Sequence, residues 1–256
     1  MDLYETIILG VVEGFTEFLP VSSTAHLILT SKLLRLESSN FLKSFEVAIQ
    51  LGAIASVISL YWKTLISRWD LKKKILVAFV PTAVVGLFFY GLIKNILFEN
   101  YMISVYSLLI GGVLLVLFEL FHEEKNDKDG DLLDITYTKA LAIGAFQSIS
   151  IVPGVSRAAA TILGGMLLGI RRKTIVEFSF LLAIPTMAAA TGLDLLKSAD
   201  SFSRSDSVNL ALGFVISFVV ATLSIKCLLK FIQNHNFISF GIYRIMVAII
   251  FLTILN

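Results

Sequence analysis

The stretch "EGFTEFLPVSSTAH", residues 13–26, decides how this chain folds. It sits inside an apolar run covering 4–34, yet it carries Glu13, Glu17, Ser22, Ser23, Thr24 and His26. Charged and strongly polar groups at membrane depth are expensive, and they are functional by default. Pro20 lies in the middle of the run, and the polar Ser22-Ser23 pair follows it. Non-helical backbone within a bilayer is tolerated only where it is buried in protein or lines a wet cavity. The run therefore reads as a re-entrant helix–loop–helix that dips into the membrane and returns.

The composition supports a membrane setting. Hydrophobic residues make up 57% of 256 and charged residues 16%, and the mean hydropathy is +0.87. A soluble domain sits near half apolar and about a quarter charged, so the chain is expected to be an all-α polytopic membrane protein. No basic segment and no small-residue cleavage site precede Glu13, so no removable signal peptide is expected. The single cysteine, Cys227, excludes an intrachain disulfide and a thiolate metal cage. Basic stripes interleaved with aromatics are missing, so nucleic acid is not an expected partner.

Six spans follow from apolar segments of about 20 residues: 44–62, 75–94, 101–121, 175–196, 208–232 and 237–255. A second broken region, 138–170, is interrupted by Pro153-Gly154-Val155-Ser156-Arg157. The two broken regions resemble each other. "GVVEGFTEFLPVSSTAHL" from Gly10 aligns with "GAFQSISIVPGVSRAAAT" from Gly144, pairing Glu13 with Gln147 and Ser22 with Ser156. "FEVAIQLGAI" from Phe45 is echoed by "FSFLLAIPTM" from Phe178. One hairpin plus three spans per repeat is an odd number of crossings, so the copies take opposite orientations. Such inverted-topology repeats place a binding site near the midplane, where the broken ends meet. The expected organisation is one integral-membrane domain, 1–256, with repeat one at 1–121, a linker at 122–137 and repeat two at 138–256.

Basic residues set the orientation. With both termini outside, the inner loops carry most of the Lys and Arg, including Lys72-Lys73-Lys74 and Arg171-Arg172-Lys173. The outer segments carry only Lys32, Arg35, Lys43, Lys94, Lys197 and Arg204. This is the positive-inside pattern. The acidic stretch "HEEKNDKDGD", 122–131, reads as a solvated cytoplasmic linker.

On a helix, Glu13 and Glu17 are spaced i and i+4 and face one side. Ser22 or Ser23 suits an N-cap after the Pro20 break, and His26 lies i+3 from Ser23 on the same face. A hydroxyl, an imidazole and a carboxylate are the parts of an activated nucleophile or a general acid–base relay. In the second hairpin, Gly154 occupies a turn before a helix expected to begin near Ser156. Helix N-termini present free amides to anions, and the Arg157 fork matches phosphate oxygens. Arg157 has a second reading, as the partner of Glu13 or Glu17 in a buried ion pair. Arg244, on the last span, reads as a snorkelling group or the partner of a carboxylate, with a direct phosphate contact as a further reading.

With these motifs in place, the chain resembles the undecaprenyl-diphosphate phosphatase family, also called the bacitracin-resistance protein family. The resemblance rests on "EGFTEFLPVSSTAH", "FEVAIQLGAI" and "PGVSRAAAT", and it extends from Gly10 to the last span. It implies an enzyme of the cell membrane that removes the terminal phosphate of a polyprenyl diphosphate. The product is the monophosphate carrier for peptidoglycan and other envelope polymers. By motif position, the resemblance puts the acidic pair on Glu13 and Glu17, the active-site serine on Ser23 and the histidine on His26. It puts the Ser-Arg pair on Ser156 and Arg157 and a threonine on Thr161. Where the family has a small polar residue after the arginine, this chain has Ala158. The catalytic candidates are Glu17, Ser23, His26 and Arg157. Glu13, Ser22, Thr24, Gly154, Ser156 and Thr161 are the substrate-binding candidates. Two carboxylates and a diphosphate suit Mg²⁺ or Ca²⁺, with Glu13 and Glu17 as the metal candidates. Ser23 would attack phosphorus or orient a water, His26 would move the proton, and Glu17 would orient His26 or help hold a metal. The resemblance also implies a site facing outside. Membrane lipids are the remaining expected partners.

A secondary transporter or lipid flippase shares inverted repeats, broken helices and midplane charges. The Ser–His pair exceeds what ion coordination requires, and the arginine sits on a phosphate-type turn. Both features favour the hydrolase.

Overall fold

A computed structural model describes residues 1–37, 39–89, 100–122, 130–198 and 204–254, and among them every regular element is helical. The first half of the chain contains α1 (Leu3–Thr16), α2 (Ser23–Leu33), α3 (Asn40–Leu60), the short α4 (Trp62–Ser67), α5 (Trp69–Phe88) and α6 (Tyr101–Phe121). The second contains α7 (Tyr137–Gln147), α8 (Arg157–Leu167), α9 (Arg172–Ser198), α10 (Arg204–Phe231) and α11 (Ile238–Ile254). The distal part of the expected 75–94 span, from residue 90, lies outside the described residues, as do linker residues 123–129.

Among the described residues three helices are long and apolar enough to cross a membrane: Tyr101–Phe121, Arg172–Gly192 and Ser207–Phe231. A helix of 21 residues spans roughly 30 Å at about 1.5 Å per residue, matching a hydrocarbon core. Their large apolar side chains face outward, with Tyr106, Ile110, Leu114, Val215 and Leu223 exposed. Such a surface needs lipid around it, and the protein is a multi-pass membrane protein.

Both broken regions break beside a proline, although Pro81 in α5 and Pro185 in α9 are carried within continuous helices. A proline ring clashes with the carbonyl four residues back and removes a helical donor. Four residues before Pro20 is Thr16, the last residue of α1. Four before Pro153 is Ile149, and α7 has already given way at Ser148 to a 3-10 turn, Ser148–Ile151. Each chain then restarts from a serine with positive φ: Ser22 (φ 72°, ψ 92°) before α2 and Ser156 (φ 76°, ψ 115°) before α8. A non-glycine residue in so sparsely populated a region stores on the order of 1–3 kcal/mol. The same strain recurs at the two positions that the sequence repeat aligns.

Packing exchanges elements between the two halves. The first broken helix, α1, packs on α10 of the second half, and α7 packs on α5 of the first. Helices α3 and α9 pack together, as do α6 and α11. The main core joins both halves, from Phe18 and Val57 to Phe178 and Leu228. Neither half could keep this core alone.

Candidate active site

The two breaks meet. Arg157, first residue of α8, donates from Nη2 to Glu17 Oε1 at 2.7 Å. From Nη1 it donates to the Ser179 carbonyl of α9 at 2.8 Å. Its guanidinium carbon lies 5.7 Å from the Phe18 ring centroid, and Phe18 meets Phe180 edge-on at 5.5 Å. The other oxygen of Glu17 accepts the Ser23 hydroxyl at 2.5 Å. Ser23, Glu17 and Arg157 thus form one buried chain of hydroxyl, carboxylate and guanidinium. The ion-pair reading of Arg157 is realised, with Glu17 as the partner.

Glu13 lies one turn back from Glu17 and is fully buried. Among the described residues neither of its carboxylate oxygens has a hydrogen-bond partner. At the equivalent position of the second half, the Gln147 amide donates to Thr82 at 2.9 Å and to Thr186 at 3.1 Å. A neutral amide therefore satisfies one half, and an unmatched carboxylate stands in the other.

His26 departs from the sequence expectation. Its Nδ1 lies 2.7 Å from the Ser22 carbonyl, and its Nε2 lies 2.9 Å from the Tyr243 hydroxyl. A carbonyl only accepts, so Nδ1 carries the proton and neutral Nε2 accepts from Tyr243. The rings of His26 and Tyr243 stack at 5.5 Å. Ser23 bonds Glu17 rather than His26, and Glu17 does not orient the imidazole. Helical spacing placed Ser23 and His26 on one face, but the Ser22 carbonyl, which also accepts the His26 backbone amide, holds the ring.

Ser22 takes the N-cap position of α2, but its side chain makes no cap bond. Ser156 does cap α8, accepting from the Ala159 amide at 3.2 Å. Thr161 is buried and donates to the Arg157 carbonyl at 2.8 Å. Thr24 is half-buried on the first turn of α2, and no hydrogen bond joins it to the other candidates among the described residues. Gly154 turns at φ +94°, where a Cβ would overlap the Ser104 carbonyl. Arg244 neither snorkels nor meets a carboxylate. It is fully buried and donates to backbone carbonyls of both breaks. Tyr243 and Ser179 went unread in the sequence, because a tyrosine and a serine on apolar helices carry no periodic signal.

The linked hydroxyl, carboxylate and guanidinium of Ser23, Glu17 and Arg157 make a polar site inside a multi-pass membrane protein. The chain belongs to the family described as "Bacitracin resistance protein BacA", which matches residues 6–250. It is 51% identical over 251 residues to an undecaprenyl-diphosphatase of Sulfurihydrogenibium sp., covering 98% of both chains. It is 50% identical to one of Persephonella marina over 252 residues, again 98% of both. One of Aquifex aeolicus is 45% identical over 251 residues, 98% of each chain.

Proposed function

We propose that this protein is an undecaprenyl-diphosphate phosphatase. It hydrolyses the terminal phosphate of a polyprenyl diphosphate and returns the monophosphate carrier to peptidoglycan and envelope synthesis, the step whose capacity sets bacitracin resistance. The Ser23–Glu17–Arg157 chain is the observation that carries this reading. Near-full-length relatives named for the same activity support it.

Arg157 exchanges its bond to Glu17 for oxygens of the incoming diphosphate, and Glu17 is thereby released to act as a base. Ser23 Oγ attacks the terminal phosphorus as its proton passes to Glu17 Oε2. The bridging P–O bond breaks, leaving the lipid monophosphate and a phosphoserine. Water then cleaves the phosphoserine, releasing inorganic phosphate and restoring the hydroxyl. His26, held between the Ser22 carbonyl and Tyr243, moves the proton to or from the departing groups. Charge stabilisation dominates phosphoryl transfer, so Arg157 and the N-terminal amides of α2 and α8 supply the larger share.

The unmatched oxygens of Glu13 fit a divalent cation, Mg²⁺ or Ca²⁺, with a remaining lone pair on Glu17 as a second ligand. Such an ion, when bound, neutralises the carboxylates and polarises diphosphate oxygens. Ser22, Thr24, Gly154, Ser156 and Thr161 line or support the phosphate end. The polyprenyl tail lies among membrane lipids, reached through a lateral gap between helices.

The breaks after Thr16 and Gln147 and the matched left-handed serines support two re-entrant hairpins. With six spans they make an inverted repeat in a single domain, repeat one over 1–121 and repeat two over 138–256. Loop charge and the resemblance support a site open to the outside of the cell membrane. Purified protein in detergent should release phosphate from polyprenyl diphosphate without a sealed membrane. Transport that requires vesicles, with no phosphate release, would assign the site to a flippase instead.

A further inference from the structure

The Arg244 guanidinium uses all five of its N–H donors, and every acceptor is a backbone carbonyl. Nη1 reaches Pro20 O at 3.2 Å and Val155 O at 3.1 Å. Nη2 reaches Gly154 O at 2.9 Å and Ser107 O at 3.1 Å. Nε reaches Leu108 O at 3.4 Å. Three of these carbonyls belong to the two breaks, one in the first and two in the second. A buried guanidinium is tolerated only when its donors are filled. Here, filling them ties the two breaks to one rigid group on α11.

The neighbouring helix is cut to fit. A Cβ on Gly111 of α6 would stand 2.8 Å from Arg244 Cζ and closer still to Nη2. At Gly112 a Cβ would meet the Gly241 carbonyl at 2.8 Å and Arg244 Cβ at 3.0 Å. Elsewhere a long side chain could swing away from such an intrusion. This one is pinned by five bonds, so Gly111 is the notch that lets the guanidinium reach the breaks.

We propose that Arg244, seated in the Gly111 notch, is a positioning residue for the active site. It draws the carbonyls of Pro20, Gly154 and Val155 to one side of the breaks. The first amides of α2 and α8, with Ser23 and Arg157, are thereby set on the other side, toward the diphosphate. Arg244 itself touches no substrate. The proposal rests on the phosphatase reading, while the relation between the breaks can be measured without it.

The test uses full-length protein in detergent, as wild type, Arg244→Lys, Gly111→Ala and the double variant. A displacement of about 1 Å at a reacting centre can lower turnover by roughly 10²-fold. Arg244→Lys and Gly111→Ala should each lower kcat per folded molecule by about that factor, with KM changed far less. The double variant should be no worse than the weaker single, because both act through one seat. In a Cys227→Ser background, cysteines at Val21 and Val155 should crosslink readily, and each variant should weaken the crosslink. Multiplying effects in the double variant would overturn the proposal. So would near wild-type kcat with an unchanged crosslink in either single variant. Activity losses that only track unfolding, including failure of both singles to fold, would reduce Arg244 to a stability element and also overturn it. A wild-type protein that hydrolyses nothing but shows the predicted crosslink pattern would sink the phosphatase reading and leave the clamp standing.

Discussion

Glu17 and Arg157 are 140 residues apart in the chain, and their side chains meet at 2.7 Å. Each is the charged group of one break, and neither could sit in hydrocarbon alone without a cost of several kcal/mol. Their contact pairs the two charges and joins the breaks at the place proposed for the reaction. It also sets the demands on Arg157. Nη2 holds Glu17 while Nη1 holds the Ser179 carbonyl, and Nε has no hydrogen-bond partner among the described residues. Arg157→Lys keeps the charge but loses the fork. It should lower kcat/KM by at least about 10²-fold, nearly as much as Arg157→Ala. Near wild-type kcat/KM in the lysine variant would refute this use of the fork.

The paired serines give a sharper contrast. Ser23→Ala removes the hydroxyl bound to Glu17 and should abolish phosphate release. Ser22→Ala removes no cap bond, so activity should persist and stability should fall less than in Ser156→Ala. Ser156→Ala removes a true cap and should lower stability by about 1 kcal/mol. Thermal unfolding of the three variants, read beside phosphate release, checks the ranking.

Tyr243 should matter through His26. Tyr243→Phe leaves the stacked ring and removes the hydroxyl from Nε2. The pH–rate profile should change shape, and kcat should fall by about 10-fold, with KM little altered. A profile that overlays wild type would show that the imidazole works without this bond.

Glu13 separates metal binding from folding. Glu13→Gln should fold normally, since it exchanges a buried carboxylate without a hydrogen-bond partner for a neutral amide of the same shape. It should lose stimulation by added Mg²⁺ or Ca²⁺, measured by titrating the cation into chelator-treated enzyme. Unchanged stimulation would place the cation elsewhere.

The architecture was readable where physics writes a strong signal. Prolines at 20 and 153 together with the polar residues that follow them marked the breaks, whereas Pro81 and Pro185, without such residues, sit within helices; long apolar runs located α6, α9 and α10 to within a few residues. The pairing of Ser22 with Ser156 emerged from alignment alone, and the shared left-handed backbone gives that pairing a geometric meaning. Three features stayed hidden. Helical spacing joined Ser23 to His26 because it assumes regular geometry up to the break, whereas the Ser22 carbonyl holds the ring. Tyr243 and Ser179 touch the site only through tertiary packing. Arg244 looked like a snorkelling or ion-paired group because sequence patterns record side-chain partners and are silent about exposed backbone carbonyls. Three of its five acceptors, the carbonyls of Pro20, Gly154 and Val155, are available because both helices are broken.

The most direct test follows the atoms. Polyprenyl diphosphate labelled in its terminal phosphate should be given to the purified protein in detergent, with the Ser23→Ala and Arg157→Lys variants alongside. The account predicts that wild type moves the label entirely into inorganic phosphate and leaves an unlabelled lipid monophosphate, while both variants leave the substrate intact. Label retained on the lipid, or release that persists in both variants, would contradict the claim that Ser23, Glu17 and Arg157 form the hydrolytic centre.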